Sequence, residues 1–312
     1  YGMKVCIIGS YAKALVMTAD RIPVAGETLM GRDYRGEFGG KGSDMAVQSS
    51  RLGAEVSYIG VIGDDTFGKE FVDLMKDEKI DISGLRITKE KSTGTGFIIK
   101  DIEARNVIVV DSGANDLFSK EDIDNAEKLI EEADVVLAQL EIPLDTALYA
   151  MKVAKKYGKT TILNPAPAVN LKECDLSDVD ILTPNETEAR VAVGVPTDSE
   201  LTNSEIAEML FKTGCKKIIM TLGDKGSGIF EPGVARQVQP YKIEVVDSNG
   251  AGDCFNASLA TALAAGKEID ESVLYANAVS ALCCTKWETV PSYHTAAEVK
   301  EFMKKHGKKE IV

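Results

Sequence analysis

Apolar positions along the 312-residue chain follow two rhythms. Short continuous apolar runs at Val5–Ile8, Glu55–Val61, Val135–Gln139, Thr160–Asn164, Ile181–Pro184 and Lys217–Thr221 predict strands buried on both faces. Between them, apolar residues recur at three- and four-residue spacing. That predicts amphipathic helices over Gly42–Leu52, Thr66–Glu78, Lys120–Glu132, Leu144–Tyr157, Glu186–Val193 and Ser204–Lys212. Asp64–Asp65 offers a cap for the second of these, and Gly53 closes the first. Strands are expected at Gly228–Glu231, Arg236–Pro240 and Ile243–Val246, then helices at Gly250–Ala265, Asp270–Cys284 and Ala296–His306. Strands alternating with helices indicate an α/β fold with a mostly parallel central sheet covered on both faces. Thr28–Met30, Tyr34–Phe38, Gly94–Lys100 and Asn106–Asp111 interrupt the alternation. They predict a small β-sheet lid, with strands from about 28–38 and 94–111, on a single domain spanning 1–312. No repeat or low-complexity linker divides the chain. Ligands of such folds gather at the carboxyl ends of the strands.

Composition narrows the chemistry. The net charge of −13 argues against a nucleic-acid partner. No apolar run is long enough to span a membrane, and Met3–Ile8 enters directly into a strand, so no signal peptide is expected. The six cysteines show no C-x-x-C spacing and suit a reducing cytoplasm. With only two histidines, His294 and His306, acid–base work falls to carboxylates.

The strongest chemical signal is the segment Asp247-Ser248-Asn249-Gly250-Ala251-Gly252-Asp253 at the start of a helix rich in small residues. Glycines at a helix N-terminus expose N–H groups to an anion. A carboxylate in the first turn beside them is placed to take a proton from an attacking hydroxyl. A plain capped helix with a glycine turn explains the same spacing equally well. A second glycine-rich stretch, Glu37–Ala46, looks at first like a phosphate loop. Yet Lys41 is followed by Gly42 rather than Ser or Thr, and the preceding glycines are misplaced for that motif. Nor does Gly9-Ser10-Tyr11-Ala12 fit a dinucleotide fingerprint.

Taken together, Gly250–Asp253 with Phe255 and Asn256, the block Gly39–Gly68, Gly113–Asp116, Leu163–Ala168, Thr183–Ala189 and Thr221–Gly226 resemble the ordered motifs of the ribokinase-like (phosphofructokinase-B-type) carbohydrate kinases. The resemblance covers essentially the whole chain and lies nearest to ribokinase. It implies a three-layer α/β/α fold and an ATP-dependent sugar kinase. Asp253 would be the general base, with the amides of Gly250, Ala251 and Gly252 as an anion hole. Thr221, Leu222, Gly223, Asp224, Lys225, Gly226, Asn185, Gly252 and Asn277 would meet the nucleotide. Asn185 and Glu188 would organise Mg2+, partly through water. Asp247 and Asn249 match a K+ loop, whose remaining part falls on Cys283, Lys286, Glu288 and Ser292; there the chain departs from the family's small, glycine-bearing turn. Gly40, Lys41, Gly42, Ser43, Asp44 and Glu141 would line the acceptor pocket. A homodimer formed through the lid is also implied.

The same comparison exposes a difference. Two polar sugar contacts of ribokinase coincide here with Ala12 and Ala14, and an asparagine with Asp44. A buried hydroxyl without a partner costs about 1–3 kcal/mol, so the acceptor is expected to carry fewer hydroxyls or more bulk at that end. Ionised, Asp44 only accepts hydrogen bonds. A compensating side chain such as Lys13 is the alternative. A nucleoside acceptor and a non-catalytic sugar or nucleotide sensor stay open beside the sugar kinase.

Overall fold

The computed structural model of the chain describes residues 2–285 and 293–312. Its central layer is a nine-stranded sheet. The strands are β1 (Lys4–Ile8), β4 (Glu55–Gly63), β5 (Asp81–Thr88), β8 (Val135–Ala138), β9 (Thr160–Leu163), β10 (Ile181–Leu182), β11 (Ile218–Thr221), β12 (Ser227–Glu231) and β13 (Val234–Val238). Their spatial order is β13-β12-β11-β10-β9-β8-β1-β4-β5. All neighbours run parallel except the two pairs involving β12.

The two-residue period of the strands divides the core. In β1, Val5 and Ile7 face one apolar cluster, while Cys6 and Ile8 face the other. In β8, Val135 and Leu137 separate from Val136 and Ala138 in the same way. The first cluster is covered by α1 (Lys41–Arg51), α2 (Thr66–Asp77), α8 (Ala251–Ala264), α9 (Ile269–Cys283) and α10 (Ala296–Lys305). The second is covered by α3 (Lys120–Asn125), α4 (Glu127–Glu132), α5 (Leu144–Lys156), α6 (Glu186–Ala192) and α7 (Asn203–Phe211). The three-layer architecture expected from the alternation is thus present.

A separate four-stranded sheet, ordered β3-β2-β6-β7, is formed by β2 (Ala12–Thr18), β3 (Arg32–Gly39), β6 (Gly94–Lys100) and β7 (Asn106–Asp111). It corrects the lid strands drawn from the pattern. Thr28–Met30 forms no strand, and Met30 is 90% exposed. Ala12–Thr18 supplies the missing central strand, parallel to β6 and antiparallel to β3. The strand β5 is likewise an addition. Its Gly84 lets Ala126 and Leu129 approach, where a Cβ would lie 3.0 and 2.9 Å from them. The helix expected over Lys120–Glu132 breaks at Ala126, whose φ and ψ of −112° and 16° leave the helical region. Ile243–Val246 pairs with no strand. The Val246 N–H instead donates to the Cys284 carbonyl, which pins this stretch to the end of α9.

Asp65 joins the two sheets. It caps α2 through the Gly68 N–H and also accepts from the Thr93 N–H and hydroxyl, at 2.8, 2.8 and 2.6 Å. No helix among the described residues is long and apolar enough to cross a membrane.

Candidate active site

The end of β1 and the start of α1 meet backbone to backbone. A Cβ on Gly42 would fall 2.6 Å from the Gly9 Cα and closer still to the Ser10 amide. Only glycine permits this crossing, and the Ser43 N–H then donates to the Ser10 carbonyl at 3.0 Å. Gly40, at φ +87°, turns the chain from β3 into α1, and a Cβ there would press within 2.8 Å of the Tyr11 Cα. Glu141, following β8, receives the Ser10 hydroxyl at 2.7 Å and the Lys41 N–H at 2.6 Å on its Oε1. It therefore satisfies the first free amide of α1 and fixes the glycine loop from outside the helix. Ser10 carries this arrangement without having stood out in the sequence.

Across from this loop, Gly250 in the left-handed conformation (φ 77°, ψ −3°) caps α8. Ala251 and Gly252 form its first turn, and Asp253 follows, buried. The Lys41 ammonium stands 3.7 Å from Asp253 Oδ1. That carboxylate raises the Lys41 pKa above its ordinary value. Burial lifts the Asp253 carboxyl above the usual range, against the pull of Lys41 and of a hydrogen bond with Asp44. Asn256 anchors the turn. Its Nδ2 donates to the Gly252 carbonyl at 2.9 Å, and its Oδ1 accepts the Thr183 hydroxyl at 2.6 Å. Tyr293 lies beneath the turn, with its hydroxyl oxygen 3.5 Å from where a Gly250 Cβ would sit.

On the far side of Gly252 a cavity of about 780 Å³ opens along the carboxyl ends of β10 and β11. Asn185, Thr221, Leu222, Gly223, Asp224 and Gly226 line it, as does Asn277. Lys225 does not. Asn277 lines the wall with its hydrogen-bonding groups turned inward: it accepts from Ser227 at 2.6 Å and donates to the carbonyls of Val238 and Gln239 at 3.3 and 3.1 Å. These bonds fix its amide against the cavity wall. The cavity suits a nucleotide-sized molecule, with Ala251 and Gly252 at the end that borders Asp253.

Asn185 and Glu188 form a reciprocal capping box on α6. The Glu188 N–H donates to Asn185 at 2.7 Å, and the Asn185 N–H donates to Glu188 Oε1 at 2.9 Å. Burial raises the Glu188 pKa. Asp247 accepts from the Asn249 N–H at 3.0 Å, and the Cys283 Sγ lies 3.6 Å from the Asn249 carbonyl. Lys286, Glu288 and Ser292 lie outside the described residues. No cluster of three His, Cys, Asp or Glu side chains able to hold a metal occurs among the described residues.

In the lid, Ala12 and Ala14 share one face of β2 and Lys13 points to the other. Lys13 is held by Glu70 at 2.6 Å and lies 5.3 Å from the Phe38 ring. Anchored there, it does not replace polar groups at the two alanines.

Comparison with known proteins matches residues 3–296 to the model of the pfkB family of carbohydrate kinases. A ribokinase of Haemophilus influenzae is 36% identical over 297 residues, covering 95% of this chain and 97% of that protein. A deoxyribokinase of Salmonella typhi is 30% identical, covering 96% and 99%. The structure of Arabidopsis thaliana ribokinase complexed with ribose and ATP superposes with a TM-score of 0.87 at 27% identity, covering 97% and 99%.

Proposed function

Because the chain belongs to the pfkB family of carbohydrate kinases, we propose that it transfers the γ-phosphoryl group of ATP to a hydroxymethyl group of a sugar or sugar-like acceptor. The observation that carries this reading is the position of Asp253. It lies buried at the head of α8, on the border between the nucleotide-sized cavity and the loop of Gly40, Lys41 and Asp44. Asp253 takes the proton of the acceptor hydroxyl as its oxygen bonds to phosphorus and the bond to the departing ADP oxygen breaks. The N–H groups of Gly250, Ala251 and Gly252 receive the charge that builds on the transferred group. Lys41 keeps Asp253 oriented and adds positive charge beside it. Glu141, with Oε1 engaged by Ser10 and Lys41, keeps Oε2 for an acceptor hydroxyl.

Mg2+, when bound, would supply charge neutralisation for the phosphates. Asn185 and Glu188 fit a role through its water shell, since their capping box already engages one oxygen of each. Loop carbonyls around Asp247, Asn249 and Cys283 are the donor type K+ takes. The cysteine pattern suits a reducing cytoplasm.

Ala12 and Ala14 support an acceptor with fewer hydroxyls than ribose. The experiment is a panel of ribose, deoxy sugars, ketohexoses and nucleosides with MgATP, with and without K+. A hydroxyl-poor sugar is expected to exceed ribose in kcat/KM by roughly 5- to 150-fold, the worth of one unpartnered buried hydroxyl. Ribose ranking first would sink the acceptor reading. ATP turnover with no acceptor would favour a sensor.

The lid supports pairing with a second copy. Phe97 and Val109, cross-strand partners, are 59% and 65% exposed, and Met17 and Val107 extend the same face. Such apolar area is a usual seat for a partner. Val109→Lys is expected to give a monomer in analytical ultracentrifugation where the unaltered chain is a dimer; unchanged sedimentation would refute the lid interface.

A further inference from the structure

Two carboxyl groups meet where α1 packs on α8, and their charge is not balanced. Asp44, in the first turn of α1, faces Asp253 closely enough for each carboxyl to act on the other. Its Oδ1 is buried with no donor reaching it. The groups facing the pair are Lys41 from the same turn, Glu141 after β8, Glu188 of α6, Tyr11 after β1 and Tyr293 before α10. Among the described residues four carboxyls thus surround one ammonium, and neither tyrosine adds positive charge. Two ionised carboxylates in contact repel one another, and no donor offsets the charge on Asp44 Oδ1. One proton between them turns that repulsion into a hydrogen bond.

We propose that Asp44 and Asp253 hold one proton in common, carried on Asp44, so that Asp44 presents a hydrogen-bond donor rather than a second negative charge to Asp253 and to the acceptor pocket. Burial and the neighbouring Asp253 push the Asp44 carboxyl well above its ordinary range in support of this. The pair titrates as a unit. Asp44 is then a positioning residue: it leaves Asp253 as the pair's carboxylate and offers an acceptor hydroxyl a donor. This replaces the accept-only Asp44 expected from the sequence. The acceptor role rests on the kinase reading; the common proton does not.

The test compares the unaltered protein with Asp44→Asn, which has the shape and donor of the neutral acid. A folded state that keeps a proton the unfolded chain releases becomes less stable as pH rises above the ordinary carboxyl range. The ratio of the folding constants, D44N over unaltered, is therefore expected to grow by up to about tenfold per pH unit. The unaltered enzyme should lose acceptor affinity on the alkaline side, seen as a rising KM that D44N lacks. Parallel stability curves would overturn the proposal while leaving kinase activity untouched. Diverging curves with no phosphoryl transfer to any acceptor would uphold the common proton and overturn the kinase reading. Should D44N not fold, infrared spectroscopy of the unaltered protein decides. A carboxylic-acid carbonyl band at neutral pH that vanishes in alkali supports the proposal, and its absence refutes it.

Discussion

Asp253→Asn is expected to lower the turnover number by roughly 10²- to 10⁴-fold, the usual worth of a positioned general base. The amide matches the carboxylate in shape and fits the same buried position at the start of α8. It cannot take the proton that the acceptor hydroxyl must lose. Nucleotide affinity should change little, because the cavity is lined by Gly252 and residues beyond it rather than by Asp253. Steady-state kinetics with the best acceptor, beside a nucleotide titration by calorimetry, separates the two quantities. Undiminished turnover would remove Asp253 from the role of base. The substitution also removes the nearest counter-charge of Lys41, 3.7 Å away, so part of any rise in acceptor KM comes from a loosened lysine.

Gly42→Ala is expected to be the most damaging single methyl in the acceptor loop. The added carbon would lie within 2.6 Å of the Gly9 Cα, against backbone that cannot rotate aside as a side chain can. Overpacking of this kind costs about 1–3 kcal/mol. The strain falls on the crossing that sets Ser10, Glu141 and Lys41 in register. Acceptor kcat/KM should drop more than stability alone explains, because the anchored amide of Lys41 moves with the helix. Thermal unfolding and acceptor kinetics on the same preparation check both halves. A melting temperature and KM equal to those of the unaltered protein would contradict the close crossing.

Much of this arrangement could be read along the chain because its signals are local. Asn185 and Glu188 stand within one short stretch, and in space they close a capping box. Gly250 and Gly252 stand at a helix start because their spacing before an apolar helix requires it. What escaped reading depends on distant partners. The strand β2 hides because Lys13 interrupts its apolar run, and that lysine makes sense only beside Glu70. Ile243–Val246 has the composition of a strand, yet no strand lies beside it, and Val245 faces solvent. The bonds of Asn277 to Ser227, Val238 and Gln239 likewise join segments 38 to 50 residues apart. The state of Asp44 depends on Asp253, on the other side of the α1–α8 contact, and no short window contains both.

The contact between α1 and α8 also sets when the protein becomes competent. Ser49 of α1 donates to the Ala257 carbonyl of α8, and Gln48 reaches the His294 carbonyl. During synthesis α1 leaves the ribosome about two hundred residues ahead of α8, a lag on the order of 10–40 s at the ~5–20 residues per second of translation. Through that interval the side of α1 from which Ser49 reaches Ala257 lacks its partner helix. The acceptor loop gains its Asp253 partner only after α8 has emerged. A nascent fragment ending before α8 would hold Lys41 without Asp253.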